Sequence, residues 1–451
     1  MKKIIIGIVL CLAMTMMAGC NNIGNDEARQ GITDFMSYGG AVFPLSLMDT
    51  YNGIIATRNI VFDFNGFGRS SDERLHMFHN DIRVSDRYLL TNATAEDKAI
   101  TIVYPFAMSF GDLERLLPTM TINGSTVDAT LWAGDRIDVQ TWRDFANVLS
   151  DDSYFLQAIT SVPDLSQQVI VYEFTNAHTE NTRAVAPTLA ASFNIDFDRT
   201  KILTYGFNGG VIDTDNNFMR QSFFVPRLVE RSQYLIIIGD DIANFSLQGY
   251  GNGALNRGDE IDVTVDVRRF EAVLGDTWEI LLRDFADDFA TTDWHSPHHT
   301  MISNLFFNAS AALLHDTQES EIIARRIFFG VGTLEDLFSH TLWASRIFYL
   351  TAKISIPAGA TISVNVDMIR PGSYDFFKVR TGNEGLNGYD MFTTLGSTMA
   401  FDNVSVEIVG TEYIEIVRTN FGTAPNNRTY IASLDIDEPH FYIEVRRASL
   451  N

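Results

Sequence analysis

The feature that most constrains this chain is alternation of apolar and polar residues with a period of two. In "DEIDVTVDVRRF", Ile261, Val263, Val265 and Val267 fall on one face and Asp262, Thr264, Asp266 and Arg268 on the other. "ATISVNVDMI" repeats the pattern, with Ile362, Val364, Val366 and Met368 set against Ser363, Asn365 and Asp367, and "HFYIEVRR" follows suit near the C-terminus. One dry and one wet face is the mark of antiparallel sheets packed on a core, and it argues against a doubly wound parallel sheet. "IPAGATI" supplies a turn between two such strands, punctuated by Pro357 and Gly359. The expected fold class is mainly β, built of antiparallel β-sandwich domains.

Three stretches break the alternation with helical spacing. "TWRDFANVL" sets Trp142, Phe145 and Leu149 on one stripe. "DTWEILLRDFADDF" does so with Trp278, Leu281, Leu282, Phe285 and Phe289, and places Asp276 and Glu279 as a capping box. "SPHHTMISNLFFNASAALLHD" begins with Ser296 as N-cap and Pro297 at the first helical position, and a short helix is expected after Thr333. A helical segment is therefore expected around 276–345. The 451 residues have room for two or three domains. Their expected order is a leader at 1–19, a tether at 20–40, a β-sandwich region at 41–270 with an inner boundary near 163, the helical segment at 271–345, and a C-terminal β-sandwich region at 346–451.

Short echoes occur at unequal offsets: Tyr88 to Ala93 resembles Tyr172 to Ala177, "RDFA" recurs at 143 and 283, and "TLWA" at 130 and 341. A tandem array would show one common offset, so a simple repeat is rejected. The first echo has structural sense, since in both places a strand ends at Thr-Asn, a polar turn follows and apolar residues resume. The unit "YLLTNATAEDKAITIVYPF" is similar to the vault/inter-α-trypsin (VIT) domain. Taken with "IPAGATISV", "SYDFF" and "IEIVRTNFG", it makes the body resemble surface β-sandwich proteins of clostridia-like bacteria. That resemblance implies a sandwich fold at a cell surface, and it brings no catalytic residues.

At the N-terminus, Lys2 and Lys3 precede an apolar stretch at 4–19, shorter than the ~20 residues of a transmembrane helix and suited to a signal peptide. Met17-Ala18-Gly19-Cys20 resembles the lipobox of bacterial lipoproteins, with Met17 where Leu is usual. The resemblance implies cleavage before Cys20, acylation of its thiol, and a protein held to the cell membrane on its extracytoplasmic face, so that the membrane is a partner through Cys20. The following "NNIGNDEARQGITDFMSYGG" is polar and reads as a tether spanning on the order of 25 Å. The chain's two cysteines are Cys11, inside the leader, and Cys20. An acylated Cys20 has no thiol partner, and no cysteine remains for a zinc site or a nucleophile.

The formal charge of −24 and the lack of any Lys/Arg run argue against nucleic acid as a partner. The densest group of possible metal ligands is "DWHSPHHT", with Asp293, His295, His298 and His299 and, farther on, His315. Imidazoles and a carboxylate suit zinc, but HExxH is absent, and His298 and His299 would point about 100° apart on a helix. Asp293, His295 and His298 are the candidate metal ligands, weighed against a plain polar helix start. Trp294 beside them is a candidate ligand-stacking residue; the other four tryptophans lie in core-like patterns.

"DTDNNF" at 213–218 starts like a calcium loop but carries Phe218 where glycine is required and Phe224 where glutamate is, so a hairpin turn is expected. "GYGNGALNRGDE" lacks the Lys-Ser/Thr of a P-loop and reads as a loop. No G-x-S-x-G elbow is present. No cofactor is implied, although calcium and zinc stay open. The leading expectation is a lipid-anchored extracytoplasmic surface protein with a binding or envelope-structural role and no catalysis. The alternative is a carbohydrate-active or carbohydrate-binding lipoprotein, and the protein or glycan partner is not identified by sequence.

Overall fold

The computed structural model describes residues 35–48, 53–65, 67–68, 80–137, 141–149, 164–181, 183–225, 232–253, 260–288, 299–319, 333–375, 383, 385–422 and 429–448. All of them belong to the unit Phe35–Asn451. The fold is mainly β, with its strands gathered into five sheets among the described residues.

Sheet A has seven strands in the order Thr429–Leu434, Ala400–Val409, Ile54–Asp63, Ile82–Asn92, Thr361–Arg370, Thr119–Ile122 and Ser125–Thr126. Sheet B has four, ordered Ser46–Leu47, Lys98–Met108, Arg346–Ile356 and Thr130–Arg136. The inner faces of A and B meet in one core: Ile60, Phe62, Val84, Leu90, Val364, Val366, Val404 and Val406 from A, with Ile102, Phe106, Phe348 and Leu350 from B. Sheet A keeps the alternation read from the sequence, so Ile362, Val364, Val366 and Met368 are buried while Asp367 is exposed. Sheet B is covered on both faces, which is why "AITIVYPFAM" is almost unbroken in apolar residues. Its outer face, with Val103, Ala107, Ile347 and Tyr349, lies in a second cluster with Phe43, Phe145, Leu149 and Phe392.

Residues 346–451, read from the sequence as a region of their own, are interleaved with the N-terminal strands. Thr361–Arg370 pairs with Ile82–Asn92, and Arg346–Ile356 pairs with Lys98–Met108. Each of these two chain segments climbs one sheet, turns, and returns in the other, so "TNATAED" and "IPAGA" form stacked arches. Alternation identifies a strand and its dry face but leaves its partner unspecified. Within the otherwise antiparallel pairing, Ile54–Asp63 and Ala400–Val409 are parallel, as strands so far apart in sequence are free to be.

Residues 168–273 build a second sandwich from consecutive chain. Sheet C runs Thr200–Tyr205, Gln233–Gly239, Gln168–His178, Thr264–Val273, and sheet D runs Gly209–Asp213, Phe218–Phe224, Thr188–Asn194, Ala243–Tyr250, Glu260–Ile261. Its own core holds Phe174, Phe193, Ile202, Phe207, Met219, Phe223, Leu235 and Ile237. Entry and exit are neighbours, because Gln168 pairs with Val273. Thr264 pairs with His178 but Asp266 with Thr175, so a bulge places an extra residue on Gln168–His178 near Asn176; Val267, at this sheet edge, is 37% exposed.

Five helices are described: α1 (Phe110–Leu116), α2 (Trp142–Leu149), α3 (Leu274–Asp288), α4 (His299–Glu319) and α5 (Thr333–Trp343). Helices α3 to α5 form a layer whose Leu274, Trp278, Leu281, Leu337 and Phe338 share a core with Val169, Val171, Leu203 and Ile236 from the back of sheet C. The expected capping box at Asp276 is corrected, since α3 already begins at Leu274. The amides of Leu274 and Gly275 donate to the carbonyls of Gln167 and Leu165, so backbone supplies partners that a side-chain cap would otherwise provide. Ser296, Pro297 and Phe289 lie outside the described residues.

Sheet E comprises Asn387–Phe392, His440–Arg447 and Ile414–Thr419. The expected wet face of "HFYIEVRR" is only partly wet: Arg446 is exposed, but His440 is 3% and Glu444 1% exposed. The tether reading is shortened too. Met36 donates to Asp375, and Ser37 and Tyr374 exchange backbone hydrogen bonds, so the chain is already held from residue 36 onward.

Candidate functional site

Cys20, Asp293, Trp294, His295 and His298 all lie outside the described residues, and α4 carries His299 and His315 without a description of their side chains. Among the described residues no group of three or more His, Cys, Asp or Glu side chains is arranged to hold a metal ion. The "DTDNNF" stretch is a hairpin turn, with Asp213 paired to Phe218 and accepting from the Asn216 amide. The remaining tryptophans are structural or lone. Trp278 is fully buried and donates to Ser310 (3.1 Å), Trp132 donates to Thr351 (2.9 Å), Trp142 stacks on His440, and Trp343 stands half-exposed over Gly111.

Two buried polar networks carry the densest chemistry. In the first, Arg58 and Asp86 form a two-point ion pair at 2.8 Å inside the core between sheets A and B. The remaining guanidinium protons go to the carbonyls of Phe43, Phe392 and Thr393, and Tyr88 (2.6 Å) and Tyr104 (3.1 Å) donate to Asp86. Burial alone would lower the Arg58 pKa, but Asp86 beside it carries it above the usual arginine value. Burial, with the Asp86 charge, holds the Tyr88 and Tyr104 hydroxyls well above the ordinary phenol range. Every group is satisfied, as a structural pin requires.

The second network joins sheet E to the chain's first described segment. Asp390 accepts from Tyr38 and from His440 Nε2 (3.0 Å), while Arg370 donates to the Gly39 carbonyl (2.9 Å). The Trp142 ring lies flat on the His440 imidazole, with centroids 4.2 Å apart and planes within 6°. Burial lowers the Arg370 pKa and, with Asp390, raises that of Tyr38. At 3% exposure, covered by Trp142, His440 is closed to a substrate and, through Asp390, serves as a clasp between α2, sheet E and Tyr38.

Open clefts lie elsewhere. One, of about 460 Å³, runs between α3 and α4, with Leu282, Ala286, Phe306 and Phe307 as its floor and the Glu279–Arg283 ion pair on its rim. The larger, about 830 Å³, is at the end of the second sandwich opposite the Gln168–Val273 junction. Eleven residues of strand separate the two ends, about 33 Å at the usual rise. There the chain crosses from the edge of sheet D at Ile261 to the edge of sheet C at Thr264, and the loop after His178 borders the opening. Thr179 Oγ1 donates to the Asp262 carbonyl (2.7 Å) and fastens that loop to the crossing. Hydrogen-bonding groups line the space: Thr179, Glu180, Asn181, Gln248, Glu260 and Asp262. His178 lies against Glu180 (2.7 Å).

Sequence reasoning did not find this cleft. Its lining comes from three separated stretches, and the only local signals were the Thr-Asn echo at 175–176 and the glycine-rich loop that ends at Glu260.

No family model and no curated protein matches the chain. Among solved structures it is similar to a candidate nutrient binding protein of Legionella pneumophila, with a TM-score of 0.33 and 7% identity over 91% of this chain and 72% of that one. A likeness of that size carries neither fold nor ligand across.

Proposed function

We propose that this chain is a lipid-anchored, extracytoplasmic binding protein, held to the membrane through Cys20, whose second sandwich offers its polar end cleft to a ligand. The observation that carries the binding role is the 830 Å³ opening, placed at the far end of a sandwich whose attachment lies at the other. A recognition surface of loops on a rigid scaffold is the usual arrangement for binding. The anchor rests on the leader residues, and acylation supplies the hold on a membrane that a soluble domain lacks.

A second reading, recognition of a carbohydrate, is favoured by the amide, hydroxyl and carboxylate groups of the cleft, which pair with sugar hydroxyls in both donor and acceptor roles. The test is a glycan array probed with residues 20–451, followed by titration of any hit against Gln248→Ala and Asp262→Ala. Loss of roughly tenfold or more in affinity from either variant supports the cleft as the site. Hits unaffected by both would move the site elsewhere, and an array without hits would leave the binding role to a protein partner sought by pull-down. Metabolic labelling with a fatty acid, abolished by Cys20→Ser, checks the anchor.

A further inference from the structure

We propose that two copies of this chain associate through the edge strand Thr429–Leu434, pairing antiparallel about a twofold axis at Ile431 and joining their A sheets into one. Among the described residues, this strand ends sheet A and pairs only with Ala400–Val409. An edge strand presents unpaired backbone groups, and proteins blunt it by shortness, charge, proline, bulges or a cover. The other edges show such devices. Ser46–Leu47, Ser125–Thr126 and Glu260–Ile261 are two residues long. Thr264–Val273 carries four charges, and Ile414–Thr419 and Thr130–Arg136 are irregular and charged. Thr200–Tyr205 carries Lys201 and lies against α5, Gly209–Asp213 ends in Asp213, and Asn387–Phe392 is buried throughout. The strand "TYIASL" has no charge, no proline and no bulge, and it leaves Ile431 65% exposed.

The strand is complementary to itself. Thr429, Ile431 and Ser433 share the outward face, whereas Tyr430, Ala432 and Leu434 turn toward the core. Antiparallel pairing on a twofold at residue 431 sets Ile431 against Ile431 and Thr429 against Ser433 of the second copy, each on a common face as sheet geometry requires. The chain carries a net charge of −24, so copies repel over most of their surfaces, and an uncharged strand is where they approach with least opposition. This proposal is independent of the end cleft and of the anchor.

The test uses residues 20–451 with Cys20→Ser, a form without any thiol. Sedimentation equilibrium is expected to show the weight-average mass rising with concentration toward roughly twice the monomer. Ile431→Lys should abolish the rise while leaving the melting temperature unchanged, because residue 431 is exposed. Under mild oxidation, Ile431→Cys should yield a disulfide-linked dimer, whereas Arg87→Cys, three strands inward on the same outer face, should not. A monomer at every concentration, a dimer that survives Ile431→Lys, or equal cross-linking of both cysteine variants would overturn the proposal.

Discussion

At the scale of single residues, the core between sheets A and B is unusual in holding a complete ion pair with two phenols attached. Tyr38, Tyr88, Tyr104 and Tyr389 are all held well above the ordinary value of 10.0, burial being the largest cause in each. The consequence for stability has a definite sign. Above pH 10 the unfolded chain releases these protons while the native protein keeps them, so the native state binds more protons and stability falls as pH rises. Each protected phenol contributes a slope of about 1.4 kcal/mol per pH unit, beginning at the unfolded value and ending where the native group itself ionises. Alkaline titration followed by phenolate absorbance should show Tyr38, Tyr88, Tyr104 and Tyr389 silent until the protein unfolds. Smooth ionisation of all tyrosines in the folded protein near pH 10 would refute this.

At the scale of elements, the paired arches are the feature on which the first sandwich depends. Asn92 is fully buried where they meet, and its Nδ2 donates to the carbonyls of Glu96 (2.7 Å), Ile356 (3.0 Å) and Pro357 (3.2 Å). Its Oδ1 accepts from the amide and hydroxyl of Thr94. One side chain thus ties the turn after Asn92 to the turn after Ile356, across 264 residues of sequence. Asn92→Ala removes the tie between the two turns and takes this donor from the Ile356 carbonyl, while Glu96 keeps Thr94 Oγ1 and Pro357 keeps the Ala360 amide; a loss of about 2–3 kcal/mol is expected in urea unfolding. A loss under about 0.5 kcal/mol, the level of ordinary surface changes, would show that the arches hold without it. The echo at Thr175-Asn176 marks a similar event, a strand leaving sheet C for sheet D, but there Asn176 adopts a left-handed backbone (φ 54°) and bonds Asp266 across the strands instead.

At the scale of the whole described unit, the helical layer is shared property. Trp278, Leu281 and Phe338 touch the same core as strands of both sandwiches, and Tyr205 of sheet C donates to Asp284 of α3 (2.7 Å). The second sandwich therefore has a core of its own on one side of sheet C and a borrowed one on the other. Leu337→Ala, which empties part of that layer, should cost about 2–5 kcal/mol. Hydrogen exchange should show lower protection in both Gln168–His178 and Arg346–Ile356, since Val171 of the one and Phe348 of the other lie in the same core as Leu337. Loss confined to one of the two strands would mean the sandwiches are energetically separate.

What the sequence by itself determined is local and periodic. Val364 and Val366 announce their dry face, Phe145 and Leu149 their helical stripe, and "DTDNNF" its turn, because each depends on neighbours within a few residues. Partner choice depends on contacts hundreds of residues apart, and no periodicity carries that information. Only the tertiary structure could interleave 346–434 with 54–136, bury His440 and Glu444 in a strand that reads as half wet, and gather Thr179, Gln248 and Asp262 around one opening. The physical reason is the same throughout. A side chain's burial is settled by what the rest of the chain lays over it, whereas its place on a strand or helix is settled by the residues beside it.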